Sequence, residues 1–147
     1  MRKIDLIVIH CSASRADRDF TETDLEVCPR RRGFNGIGYH FYIRKNGDIK
    51  TTRPIERIGA HAKGFNRTSI GICYEGGLDC HGRPADTRTE WQVHSMHVLV
   101  LTLLRDYPGC RVCGHRDLSP DLNGNGEIEP EEWVKACPCF DAEEEWA

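Results

Sequence analysis

Short apolar runs recur along this chain, and each one predicts a strand. Residues 4–9 are Ile-Asp-Leu-Ile-Val-Ile, which predicts a buried strand that ends at His10. Residues 69–74 predict another strand, and residues 111–114 a shorter one that leads into His115. Two further runs flank Asn46-Gly47, the dipeptide that most strongly indicates a β-hairpin.

A different period appears in residues 88–107. Apolar side chains recur there at spacings of three and four, which predicts one long amphipathic helix. The positions are Val93, Met96, Val100, Leu103 and Tyr107. Thr87 and Glu90 form a capping-box pattern at the start of this helix, and Pro108-Gly109 ends it.

Two weaker patterns predict short helices. One covers residues 21–32, and the other opens at Pro130 and contains Trp133. Strands combined with one long helix predict an α/β fold with a central mixed β-sheet flanked by helices. The 147 residues are enough for one hydrophobic core, so we expect a single domain over residues 1–147.

Charge and hydropathy exclude several kinds of partner. With 20 basic and 23 acidic residues the net charge is −3, which does not favour nucleic acid. Residues 98–101, an apolar run that no other run exceeds in length, are too few to enter a membrane. Residues 1–9 lack the apolar stretch and cleavage site of a signal peptide, so we expect synthesis in the cytoplasm. We also expect a monomer.

Eight cysteines are many for a chain of this length. Cys110 and Cys113 form a Cys-x-x-Cys knuckle that could build a four-cysteine structural zinc site with Cys137 and Cys139. Cys-Pro-Cys is a poor second half for such a site, however. The alternative is that Cys110 and Cys113 are buried thiols or halves of disulfides.

Seven segments occur in an order that carries a family resemblance. They are Ile9-His10-Cys11-Ser12-Ala13-Ser14, Gly38-Tyr39-His40-Phe41, Gly59-Ala60-His61-Ala62-Lys63-Gly64-Phe65-Asn66, Ser69-Ile70-Gly71-Ile72-Cys73, Gly76-Gly77, Gly114-His115-Arg116-Asp117 and Lys135-Ala136-Cys137-Pro138. Together they closely resemble the phage-lysozyme type of N-acetylmuramoyl-L-alanine amidase, a family that shares its fold with peptidoglycan recognition proteins. The resemblance covers about residues 4–141. It implies hydrolysis of the amide bond between N-acetylmuramic acid and L-alanine in bacterial peptidoglycan.

The resemblance also implies roles for single residues. His10, His115 and Cys137 occupy the zinc-ligand positions, and a hydrolytic zinc site uses three such ligands and leaves a fourth position for water. Tyr39 and Lys135 occupy the catalytic positions. The phenol would hydrogen-bond the oxyanion or position the attacking water, and the ammonium would stabilise negative charge on the tetrahedral intermediate.

His61 lies in a motif that lines the substrate groove in the relatives. The resemblance therefore implies contact with peptidoglycan rather than with the metal. The expected substrate also fixes where the protein acts. We expect it to reach the cell wall after lysis or by a non-classical release.

Two other functional classes remain open. Recognition proteins of the same fold bind the wall without cutting it and often lose the ligand cysteine. The presence of Cys137, Tyr39 and Lys135 favours the enzyme. The third class is a partner-binding protein, and no motif in the chain locates a surface for it.

Residues 121–132 match the twelve-residue calcium-loop pattern at every constrained position. The ligands would be Asp121, Asn123, Asn125, the carbonyl of Glu127 and the bidentate carboxylate of Glu132. Calcium would then fix the segment that leads to Lys135 and Cys137. The alternative is an acidic surface insertion between His115 and Cys137.

Overall fold

The structure, a computed structural model, describes residues 2–31 and 36–147. Seven strands lie in these ranges: β1 (Leu6–Cys11), β2 (Ser14–Arg15), β3 (Phe41–Ile43), β4 (Ile49–Thr51), β5 (Ser69–Tyr74), β6 (Gly77–Leu78) and β7 (Arg111–Gly114). Five of them form a mixed sheet in the order β4-β3-β5-β1-β7. Neighbours are parallel except at the β3–β4 edge, and β2 pairs with β6 in a separate two-stranded sheet. The predicted mixed sheet is therefore confirmed.

Three α-helices accompany the strands: α1 (Glu22–Arg31), α2 (Glu90–Asp106) and α3 (Ala142–Glu145). Short 3-10 helices occur at Asn66–Thr68, His115–Leu118 and Pro130–Glu132. Across the described ranges, no helix has both the length and the apolar character needed to span a membrane.

The two faces of β1 meet different parts of the molecule. Ile7 and Ile9 belong to the core cluster that also contains the buried residues of α2. His10 pairs in the sheet register with Cys73 of β5, and Cys73 pairs with Tyr42 of β3. Cys73 and Tyr42 both pack with Leu25 of α1. Since neighbouring strand residues point to opposite faces, His10 lies on the face away from α2.

The start of α2 differs from the prediction. The helix is capped by Thr89, whose side chain accepts from the Gln92 amide while the Gln92 side chain accepts from the Thr89 amide. Thr87 instead accepts a 2.8 Å hydrogen bond from the Gly77 amide. The capping box predicted at Thr87 and Glu90 is therefore wrong, although the helix itself is confirmed.

Other element boundaries are shorter than predicted. The hairpin strands β3 and β4 have three residues each, and Gly47 turns between them with φ 91°. The helix predicted over residues 21–32 is α1, and residue 32 lies outside the described residues. The helix predicted to contain Trp133 is only the 3-10 turn Pro130–Glu132, so Trp133 follows it.

The C-terminal segment is fixed against the sheet and α2. The hydroxyl of Tyr74 donates to the carbonyl of Pro138 at 2.6 Å. Arg88 pairs with Glu145 of α3 at 2.8 Å, and its guanidinium lies 3.4 Å from the centre of the Phe140 ring. These contacts place residues 137–140 beside the end of β1.

Candidate active site

A cleft of about 510 Å³ opens beside the carboxyl ends of β1 and β7. The carboxyl ends of parallel strands are where α/β sheets commonly place their ligand sites. The wall is formed by His10, Cys11, Ser12, Ala13, Tyr39, Ala60, His61, Ala62, Lys63, Asn66, His115, Lys135 and Cys137. All six residues assigned to catalysis, zinc and substrate from the sequence are among them.

Three side chains of the kinds that can bind a metal ion meet in this cleft. The ligand atoms of His10, His115 and Cys137 all lie within 4.8 Å of one another. In the described part of the chain no other group of three or more His, Cys, Asp or Glu side chains meets this criterion. The backbone amide of Cys11 donates to the Cys137 sulfur at 3.1 Å, which orients the thiol toward the two imidazoles.

Burial and neighbouring basic groups favour the neutral form of the histidines in the cleft. Burial, reinforced by the charges of His61, His115 and Lys135, lowers the pKa of His10 well below its usual range. Burial and then the charge of Lys135 lower the pKa of His115 in the same direction. A neutral imidazole has the free lone pair that a metal requires, so both rings suit a ligand role.

His61 lies behind His10 and is almost fully buried. Its Nδ1 lies 2.9 Å from His10 Nε2, and its Nε2 lies 3.2 Å from Ser69 Oγ. Burial, followed by the charges of His40 and His115, lowers the pKa of His61 to about 3. Both ring nitrogens are thus engaged by the protein, while the ring still lines the cleft.

Close packing fixes the loop that carries His61. Asn66 Oδ1 accepts from the backbone amides of His61 and Ala62, each at 2.9 Å. A Cβ at Gly71 would lie 2.7 Å from two carbon atoms of the His61 ring, and one at Gly59 would lie 2.7 Å from the same ring. The two glycines therefore make the space that the imidazole occupies.

Tyr39 and Lys135 approach from two other sides. The Tyr39 ring centre lies 4.9 Å from that of His10, and the Tyr39 carbonyl accepts from Thr52 Oγ1 at 2.7 Å. Lys135 is exposed at the cleft wall, and its charge acts on both His10 and His115. A phenol and an ammonium thus accompany the three ligand-type side chains.

Three features of the site had no role in the sequence analysis. Ser69 holds His61, and the Cys11 amide holds Cys137. Both residues stand in motifs of the family resemblance, but the resemblance assigned neither of them a role. Lys63 belongs to a motif of the family resemblance, but the resemblance assigned it no role. It lines both the cleft and an adjoining cavity of about 120 Å³. This cavity is lined by Ala62, Lys63, Phe65, His115, Leu118, Ser119, Val134 and Lys135.

The alternative four-cysteine zinc site does not form among the described residues. Cys113 is fully buried between Leu6 and Val8. The thiol of Cys110 donates to the carbonyl of Ile4 at 3.5 Å. Both are free thiols, Cys113 buried and Cys110 partly buried, so the buried-thiol alternative holds for Cys113 and only in part for Cys110.

The loop over residues 121–132 turns through two glycines with positive φ, at positions 124 and 126. Asp121 accepts from the Gly124 and Gly126 amides at 3.1 and 2.8 Å. Asn123 Oδ1 accepts from the Asn125 amide, and Asn125 Oδ1 accepts from the Glu127 amide. The buried carboxylate of Glu132 accepts from the amides of Leu122 and Glu129.

The sequence and the fold both match known proteins. Residues 1–138 match the family described as N-acetylmuramoyl-L-alanine amidase. The endolysin of Klebsiella phage KP32 is 33% identical over 140 residues, which cover 95% of this chain and 83% of the relative.

Two solved structures share the fold. The N-acetylmuramoyl-L-alanine amidase LysC from Clostridium intestinale URNW superposes with a TM-score of 0.73 at 27% identity, covering 99% of this chain and 83% of LysC. Drosophila PGRP-LB superposes with a TM-score of 0.70 at 22% identity, covering 94% of this chain and 76% of that one, and it supports the fold alone. The chain therefore belongs to the N-acetylmuramoyl-L-alanine amidase family, and it is an enzyme of that class.

Proposed function

We propose that this chain hydrolyses the amide between N-acetylmuramic acid and L-alanine in peptidoglycan, with one zinc ion held by His10, His115 and Cys137. The observation that carries the proposal is the convergence of these three side chains, with ligand atoms within 4.8 Å of one another, in an open cleft. Imidazole and thiolate are both ligand types of catalytic zinc sites, in which three protein ligands leave a fourth position open.

The surroundings of the three side chains fit zinc as well. For His10 to offer an unprotonated Nδ1, its Nε2 must carry the proton and donate to His61 Nδ1, 2.9 Å away. His61 then donates from Nε2 to Ser69 Oγ. A ligating histidine commonly donates its other ring N–H in this way, which fixes both its tautomer and its orientation.

Zinc bound there would activate a water molecule and polarise the scissile carbonyl. The chain's own residues supply the remaining chemistry. The ammonium of Lys135 stabilises the negative charge that develops on the carbonyl oxygen, and the phenol of Tyr39 donates to that oxygen or orients the attacking water. The leaving amine of L-alanine takes up one proton, for which these two groups are the donors at the cleft wall.

The proposal gives His61 two roles. It holds His10 through a hydrogen bond. Its ring also lines the cleft, and we predict that it contacts the substrate there. The proposed place of action follows from the relative named an endolysin. We infer that the protein is made in the cytoplasm and acts on the cell wall after lysis or non-classical release. A monomeric state likewise stays a prediction.

The test is hydrolysis of purified peptidoglycan by the wild type and by Cys137→Ala, together with elemental analysis of both proteins. We expect stem peptides with new L-alanine amino termini and about one zinc per chain in the wild type, and neither in the variant. Cys110→Ala is the matched control, because Cys110 donates to a core carbonyl away from the cleft. Binding of peptidoglycan without turnover by zinc-loaded wild type would contradict the proposal and indicate a recognition protein.

Calcium in the loop over residues 121–132 is a separate prediction. It rests on the pattern match and on side-chain oxygens of Asp121, Asn123 and Asn125 that face the loop's own backbone amides. We expect calcium to raise the melting temperature at fixed zinc in the wild type and not in Asp121→Ala. Calorimetric titration with calcium measures the binding directly. Equal melting temperatures with calcium and with EGTA would favour the acidic surface insertion.

A further inference from the structure

The cleft and the smaller cavity beside it carry only positive charge. Both are lined by Lys63 and Lys135, and no described lining residue of either is an aspartate or a glutamate. The whole chain has a net charge of −3, so this sign is a local property. A concave surface of one sign concentrates ligands of the opposite sign.

Lys63 is the cation of this surface that the proposed reaction does not use. Within the described residues its ammonium makes no hydrogen bond and no ion pair. Its backbone position is nevertheless fixed, because it follows His61 and Ala62, whose amides are both held by Asn66. The Lys63 ammonium is therefore unpaired in the described part of the chain, while the backbone that carries it is held in place.

The wall of the smaller cavity opposite the two lysines is apolar. It includes Phe65, Leu118 and Val134, and two of these are well exposed to solvent, at 38% for Phe65 and 73% for Val134. His115 belongs to both cavities, so the smaller one adjoins the reacting centre directly. Ammonium groups beside apolar side chains suit a short peptide segment that carries a carboxylate.

We propose that the smaller cavity is a subsite for the second residue of the stem peptide and that Lys63 binds the α-carboxylate of this residue. The inference rests on the proposed function. In peptidoglycan, the residue after L-alanine is D-glutamate joined through its γ-carboxyl group, so its α-carboxylate is free unless it is amidated. This carboxylate lies one residue beyond the scissile amide, a step of roughly 3.5 Å per residue, which suits a cavity that shares His115 with the cleft.

The strength of this contact sets the size of the effect. An ion pair at an open protein surface contributes up to about 1 kcal/mol, which corresponds to about fivefold in kcat/KM. Amidation removes the negative charge of the substrate and keeps its size. We therefore expect the free acid to be cleaved about fivefold more efficiently than the amide, a preference that salt should weaken.

The experiment compares two synthetic muramyl pentapeptides that both have L-lysine at the third position. They differ only in D-glutamate or D-isoglutamine at the second. The ratio of their kcat/KM values is measured for the zinc-loaded wild type, Lys63→Met, Lys63→Arg and Lys50→Met. Lys50 is exposed on β4 and lines neither cavity, so it controls for the loss of one positive charge.

We expect a ratio of about five in the wild type, Lys63→Arg and Lys50→Met, and a ratio near one in Lys63→Met. A wild-type ratio near one would overturn the subsite while leaving the amidase function intact. An unchanged ratio in Lys63→Met would overturn the role of Lys63. Absence of turnover with either substrate by zinc-loaded protein would overturn the proposed function and the subsite together.

Discussion

Tyr39 and Lys135 share the cleft with the proposed ligands, but their substitution should lower activity without loss of zinc, unlike substitution of a ligand. We expect Tyr39→Phe and Lys135→Gln each to lower kcat by about 10²–10³, because each would lose a group proposed to stabilise charge in the transition state. Neither contributes a ligand atom to the His10, His115 and Cys137 group, so zinc content should stay near one per chain. Steady-state kinetics with elemental analysis measures both quantities.

Tyr107→Phe and Lys50→Gln are the matched controls, since neither residue lines the cleft. Both should keep wild-type kcat. A loss of zinc that parallels the loss of activity in Tyr39→Phe or Lys135→Gln would contradict the assignment and indicate a structural role.

The convergence of the proposed ligand residues could be predicted from their motifs, whereas the residues that hold them could not. His10, His115 and Cys137 stand in ordered motifs, and the structure brings them together. Ser69 supports His61 only because the loop that ends at Asn66 returns beside β5. Ser69 stands in one of the motifs, but the motif does not predict this contact, because the contact depends on tertiary packing.

Among the elements, β5 contributes more than a strand of the core. Gly71 in this strand leaves space for the His61 ring, since a Cβ would lie 2.7 Å from it. We expect Gly71→Ala to reduce the free energy of unfolding by about 1–3 kcal/mol through overpacking and to weaken zinc retention through the displaced ring. Urea unfolding and elemental analysis test the two effects.

Gly109→Ala provides the comparison for this substitution. A Cβ at Gly109 would meet nothing within 4 Å, so the urea midpoint of the Gly109→Ala variant should match that of the wild type. Equal stability and equal zinc content of Gly71→Ala and Gly109→Ala would show that His61 does not depend on this packing.

Element types could be predicted more reliably than their ends. The strands β1 and β5 and the helix α2 follow from apolar period and length. The cap of α2 does not, because Thr87-x-x-Glu90 and Thr89-x-x-Gln92 are overlapping patterns of the same kind. Burial of Gln92, whose side chain donates to the carbonyls of Ile43 and Glu75, selects the second pattern.

At the scale of the whole molecule, the three proposed zinc ligands come from segments far apart in the chain. Zinc would therefore tie β1, the segment after β7 and the C-terminal segment together. A ligand present at 1,000 times its dissociation constant stabilises the folded state by about 4 kcal/mol. We expect a chelator to lower the melting temperature of the wild type by about 10 °C, since 1 kcal/mol shifts it by about 2–4 °C at this size.

The matching variant for this measurement is Cys137→Ala. Its melting temperature should not respond to the chelator, because it lacks the third ligand. If the wild type melts at the same temperature with and without chelator, zinc does not hold these segments together.

The mixed sheet itself could be predicted, whereas the β2–β6 pair could not, because two residues per strand form no periodic pattern.

The bond from the Cys11 amide to the Cys137 sulfur joins residues 126 positions apart. A ribosome makes the amino end first and adds about 5–20 residues per second, so the last of the proposed ligands is synthesised seconds after the first. A nascent chain, or one cut short before residue 137, carries the two imidazoles without the thiol. If Cys137 is a zinc ligand as proposed, hydrolytic activity requires synthesis past residue 137, and chains that end before it should be inactive.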